Sequence, residues 1–164
     1  MLAIQLHDRI IESKDWATIL FIICVAIIAI NKTISSVRFN EFVRLAYFDK
    51  YTKIYRDSSN LMSGFTISMF VLQLISFSFF TLLVLNQFHR AEKTDLIVYI
   101  QIFTFLSVFI LSKFLIEKII ATAFKIEEFN EQFNLLKVNY RAYFGFILLP
   151  VNIILFYNSF DSDW

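Results

Sequence analysis

The longest uninterrupted apolar run, Leu61 to Leu85, holds no charged residue at all. Three more runs, Trp16 to Ile30, Leu96 to Leu111 and Tyr143 to Tyr157, each reach or approach the ~20 residues a helix needs to cross a ~30 Å hydrocarbon core. A chain with four such runs has few choices, because lipid offers the backbone no hydrogen-bond partner and only helices or closed barrels satisfy it internally. The runs are continuous and do not alternate apolar with polar, so a barrel is excluded and an all-α fold with four transmembrane helices is expected. Composition supports this. Of 164 residues, 58% are hydrophobic and only 18% charged, with a mean hydropathy of +0.64, more apolar surface than a core of this size can hide.

The expected spans are about 16–34, 61–85, 95–112 and 143–157, in one helical membrane domain covering residues 1–164. Amphipathic cytoplasmic segments, 35–58 and 113–142, connect them. Lys32 can snorkel at the end of the first span. Pro150 interrupts the short fourth run, so a helix there must be kinked, tilted or shielded by protein. The basic residues set the orientation. Lys32, Arg38, Arg44, Lys50, Lys53 and Arg56 lie between spans one and two, and Lys113, Lys118, Lys125, Lys137 and Arg141 between three and four. Only Arg9, Lys14, Arg90 and Lys93 lie on the other side, so the positive-inside rule puts the N terminus outside. Trp16, Tyr99 and Tyr157 then fall at the outer interface, and Tyr140 and Tyr143 at the inner one. A cleaved signal peptide is the rival reading of the first run, but Asp8, Glu12 and Asp15 and the missing small-residue site after Ile30 speak against it.

Two cytoplasmic patterns stand out. In 35–58 the apolar residues keep helical spacing but change phase: Phe39, Phe42, Val43 and Ala46 share one face, Tyr47, Tyr51, Ile54 and Tyr55 another. Two short helices, or one bent near Phe48 to Lys50, are expected. Arg38, Arg44, Lys50, Lys53 and Arg56 are candidates for contact with anionic lipid or an acidic partner, against a plain reading as a topology-fixing linker. After the third span, Ile126, Phe129, Phe133, Leu136, Tyr140 and Tyr143 recur at steps of 3 and 4, a helix-packing seam whose expected partner is this protein's own cytoplasmic helices. Glu127, Glu128 and Glu131 ahead of Lys137 and Arg141 suit a helix starting near Lys125.

Within the runs the polar residues are neutral. Gln73, Asn152 and Gln101 are the candidate intramembrane contacts, with Gln73 ~18 Å from either end of its run and Asn152 ~14 Å into its own, at ~1.5 Å per residue. Interhelical hydrogen bonds, including one to the carbonyl freed by Pro150, are one reading; a polar path for a lipid or polyprenol headgroup is the other. Catalytic motifs are absent. His7 and His89 are the only histidines, Cys24 lies inside a span, and Gly64 and Gly145 cannot build a phosphate loop. No catalytic residue, cofactor or metal site is expected, and the interleaved charges, +1 overall, exclude a nucleic-acid surface. Membrane lipids and other inner-membrane proteins are the expected partners.

The runs DWATILF, RFNEFVRLAYFDKYTKIYRD, LIEKIIATAFKIEEF and YRAYFGFILLPVNIILFY, taken together, resemble an uncharacterised family of small multi-pass inner-membrane proteins of Bacteroidota, a domain of unknown function. The resemblance spans nearly the whole chain and concerns architecture, with no catalytic residue to carry over. It implies two further hydrophobic helices beyond the Pro150 block, so that the sequence is incomplete at its C terminus, and a neighbourhood of polyprenol-linked sugar transfer. Two functions follow as expectations: a non-catalytic accessory or scaffold subunit of a larger membrane complex, or a lipid or polyprenol handling protein supporting envelope glycan or lipid-linked sugar transfer.

Overall fold

The computed structural model describes residues 14–44 and 64–158. Among them the chain forms five helices: α1 (Asp15–Ile34), α2 (Ser36–Val43), α3 (Gly64–Gln87), α4 (Leu96–Ala123) and α5 (Glu127–Tyr157). Helices α1, α3, α4 and α5 are each long and apolar enough to cross a membrane. The chain is an all-α polytopic membrane protein.

Helix α3 is central and the other three long helices pack around it. Its buried residues, from Phe65 to Leu82, lie on most of its circumference, which is why it carries no charge. Helix α1 presents one face to it, Ala17, Phe21, Cys24 and Asn31, at the 3 and 4 spacing of a single helical stripe. Lipid tails are as apolar as leucine, so this packing gains van der Waals contact and interhelical hydrogen bonds, with no transfer of apolar surface out of water. Helix α4 is peripheral, with Tyr99 and Ala121 as its only fully buried residues.

The two ends differ in chemistry. At one end the Trp16 ring stacks on Phe79 and tilts against Tyr99, and its indole Nε1 donates to the Thr94 carbonyl at 3.1 Å. Thr18 and Tyr157 share a hydrogen bond beside them. This aromatic end joins the start of α1, the α3–α4 loop and the end of α5, the residues expected at one interface. At the opposite, basic end, Ser35 breaks the helix (φ −127°, ψ 51°) and α2 turns back onto the bundle. Phe39 and Phe42 of α2 are buried there with Phe65, Met69 and Ala142.

Both turns between the long helices are closed in the same way. His89 (φ 54°) and Lys125 (φ 56°) are left-handed, and the next amides, Arg90 and Ile126, bond back to the carbonyls of Leu85 and Ala121. These are Schellman turns with a non-glycine residue at the left-handed position. Asp95 then caps α4, its Oδ1 accepting from the Ile97 amide at 3.0 Å.

The segment containing Lys125 is thus a tight turn, and α5 runs unbroken from Glu127 through Pro150 to Tyr157. What the sequence divides into a cytoplasmic helix and a short fourth span is one helix of 31 residues, ~46 Å long at ~1.5 Å per residue. Pro150 sits on its exposed side, where loss of one backbone donor disturbs no helix contact. Of the expected helices in 35–58, α2 is observed. Lys50, Lys53, Arg56 and the second helix expected there lie outside the described residues.

Candidate functional site

Gln73 and Asn152 are both buried, at the contact between α3 and α5. The approach is close because Gly145 faces Gln73: a Cβ built at Gly145 would lie 2.8 Å from the Gln73 Cα. About two turns further along α5, Asn152 Nδ2 donates to the backbone carbonyl of Ser76 at 2.7 Å. Asn152 therefore binds α3, and not the carbonyl freed by Pro150. It lies ~8 Å of helix from Tyr157, toward the aromatic end, as its place in the run of 143–157 implies. Among the described residues the two amide atoms of Gln73, the Ser76 hydroxyl and Asn152 Oδ1 have no hydrogen-bond partner. Gln101 is exposed on α4 and takes no part.

A second interhelical bond is one the sequence reading missed. Ser68 donates to Asn31 Oδ1 at 2.9 Å, tying α1 to α3 near the basic end, while Asn31 Nδ2 donates to the Ile27 carbonyl. The signal was present, since Asn31 continues the stripe of Ala17, Phe21 and Cys24, but its neighbour Lys32 made it look like the end of a span.

Among the described residues, no other helix runs along the length of the seam. Ile126, Phe129, Phe133 and Tyr140 are exposed, Phe129 at 71%, and only Tyr143 joins the basic-end cluster, edge-to-face with Phe42 at 5.9 Å. The expected partner of the seam, the protein's own cytoplasmic helices, includes the part of 35–58 that lies outside the described residues. The seam's stripe continues into Phe144, Ile147, Val151 and Ile154, all exposed, so one apolar face runs on along α5 toward the aromatic end. An apolar period marks a face that avoids water; it does not say whether protein or lipid covers it. The face of α5 turned toward α4 carries Asn134, buried, and Lys137, whose Nζ pairs with Glu117 at 2.9 Å. That half-exposed pair contributes at most about 1 kcal/mol.

Of the basic residues expected to touch lipid or a partner, Arg44 is exposed just beyond α2, and the Arg38 guanidinium lies 5.8 Å from the centre of the Phe65 ring. The α2 surface is therefore a docked element and not a free linker. Between α3, α4 and α5 at the same end lies a pocket of about 190 Å³, walled by Ile67, Phe70, Ile110, Leu111 and Phe114, with Arg141 also lining it. Sequence could not have shown it, because it depends on how far α4 and α5 splay from α3.

Among the described residues no three His, Cys, Asp or Glu side chains converge as a metal site. Cys24 is a buried thiol on the α1 stripe.

No curated protein and no solved structure matches the chain. One family does: its profile matches residues 17–164, which include α2 to α5 and all of α1 but its first two residues. The chain belongs to that family, the domain of unknown function DUF4271.

Proposed function

We propose that this protein is a non-catalytic subunit, accessory or scaffolding, of a larger complex in the bacterial inner membrane, with its N terminus outside. One observation carries the reading. Helix α5 is ~46 Å long against a ~30 Å hydrocarbon core, so with Tyr157 at one interface its first turns, and the turn joining it to α4, stand beyond the other. That projecting tip is greasy: Phe124 is 73% and Phe129 71% exposed, with Ile119, Ile126 and Phe133 beside them. Contiguous apolar surface outside the bilayer marks a protein contact. Lipid or polyprenol handling is favoured less, since Gln73 and Asn152, the residues offered for it, are spent on helix packing.

Affinity isolation from a mild detergent tests this. The wild type should bring down one or more membrane proteins in fixed stoichiometry, and Phe124→Asn with Phe129→Asn should release them while leaving the protein in the membrane. Isolation of the wild type as a lone monomer would overturn the reading.

A further inference from the structure

We propose that the pocket between α3, α4 and α5 holds an acyl chain of an anionic phospholipid drawn from the leaflet at the basic end, with the lipid phosphate seated on Arg141. The inference needs only that the helices span a bilayer, not that the protein is a subunit.

The depth is right. About 24 Å of helix separates Arg141 from Tyr157, and a helical side chain leans toward its own N terminus, which for α5 is the basic end. The guanidinium thus reaches the headgroup level of the far leaflet while the walls, Ile67, Phe70, Ile110, Leu111 and Phe114, stand beside the acyl chains of that leaflet. A hollow with such walls, open to the hydrocarbon, takes up lipid chain in preference to water.

Charge selects the headgroup. Arg141 has no carboxylate partner among the described residues, whereas Lys137, one turn away, is paired with Glu117. A guanidinium at the edge of an apolar hollow calls for an anion, and its planar fork matches a phosphate with two parallel hydrogen bonds. The neighbouring groove beyond Phe114 is unsuitable for that anion. Lys118 lines it, but so do Glu127 and Glu131. The phosphate is therefore directed to Arg141, and the chain below it into the pocket.

Delipidated full-length protein, titrated in detergent with phosphatidylglycerol or with phosphatidylcholine of the same acyl chains and read by native mass spectrometry, tests the site. The wild type should retain one phosphatidylglycerol at a concentration at least fivefold lower than phosphatidylcholine. Arg141→Gln should reduce that preference to less than twofold, while Lys113→Gln, an exposed cation outside the pocket, should keep it. Ile110→Trp, which fills the hollow and leaves Arg141 in place, should lose retention of both lipids, and glycerol 3-phosphate should not compete. Equal retention of the two lipids by the wild type would overturn the proposal, as would equal losses from the Arg141 and Lys113 variants. Retention by Ile110→Trp, or displacement by glycerol 3-phosphate, would refute the acyl-chain site even if Arg141→Gln fails to fold.

Discussion

Gly145 is the residue on which the α3–α5 contact turns. Its missing side chain lets the two backbones meet, and the atom in the way of a Cβ is the Gln73 Cα, which cannot swing aside as a side chain would. Gly145→Ala must therefore part the helices, and we expect a loss of about 1–3 kcal/mol, read as a lower unfolding midpoint in detergent. Gln73 behaves oppositely. Its buried amide forms no bond, so Gln73→Met, similar in length and flexibility, should leave stability unchanged or raise it by up to about 1 kcal/mol. A marked drop would mean that the amide has a bonding role. Asn152→Leu removes a real hydrogen bond and should cost about 0.5–2 kcal/mol. The sequence singled out both amides as interhelical contacts; it could not tell the bonded one from the unbonded one, because that depends on which carbonyl faces each side chain across the interface.

At the scale of elements, the apolar runs translate closely into α1, α3 and α4, since length and hydropathy are set by the bilayer and read directly from residues. Helix α5 was harder. Its charged first half and apolar second half look like two objects, and the one sign that a single backbone runs through both is the seam spacing, which carries through Tyr140 to Tyr143, the first residue of the apolar run. The turn before it is legible only in part. The sequence locates it at Lys125 through the clustered glutamates that follow, but with a lysine where glycine is usual the left-handed conformation is unannounced. A left-handed lysine is strained by roughly 1–2 kcal/mol, part of which glycine would return as extra freedom in the unfolded chain. Lys125→Gly should accordingly raise the thermal midpoint, by a stabilisation of about 0.5–1 kcal/mol, whereas Lys125→Val should lower it. Equal effects from the two variants would mean that the charge of Lys125, and not its backbone, governs the turn.

For the whole molecule, the order of the helices was legible in the sequence, while the centre of the bundle emerged only from packing. Both the uncharged α3 and the equally apolar α4 could have occupied it. Small and polar residues distinguish them, for α3 buries Ser76 and Ser78 and bonds α1 through Ser68, while α4 turns bulky Ile, Leu and Phe outward, which suit lipid. The proposed orientation rests on charge: the basic end holds the α4–α5 turn and the aromatic end holds the α3–α4 loop. In a Cys24→Ala background, a cysteine introduced by Lys93→Cys should react with a membrane-impermeant maleimide on intact spheroplasts, and one introduced by Lys125→Cys only after permeabilisation. The two positions lie in turns at opposite ends of α4, a helix of 28 residues, so a single experiment reads both faces. The reverse pattern would place the basic end outside, and with it the apolar tip and the Arg141 pocket, so that any partner and any bound lipid would have to come from the other side of the membrane.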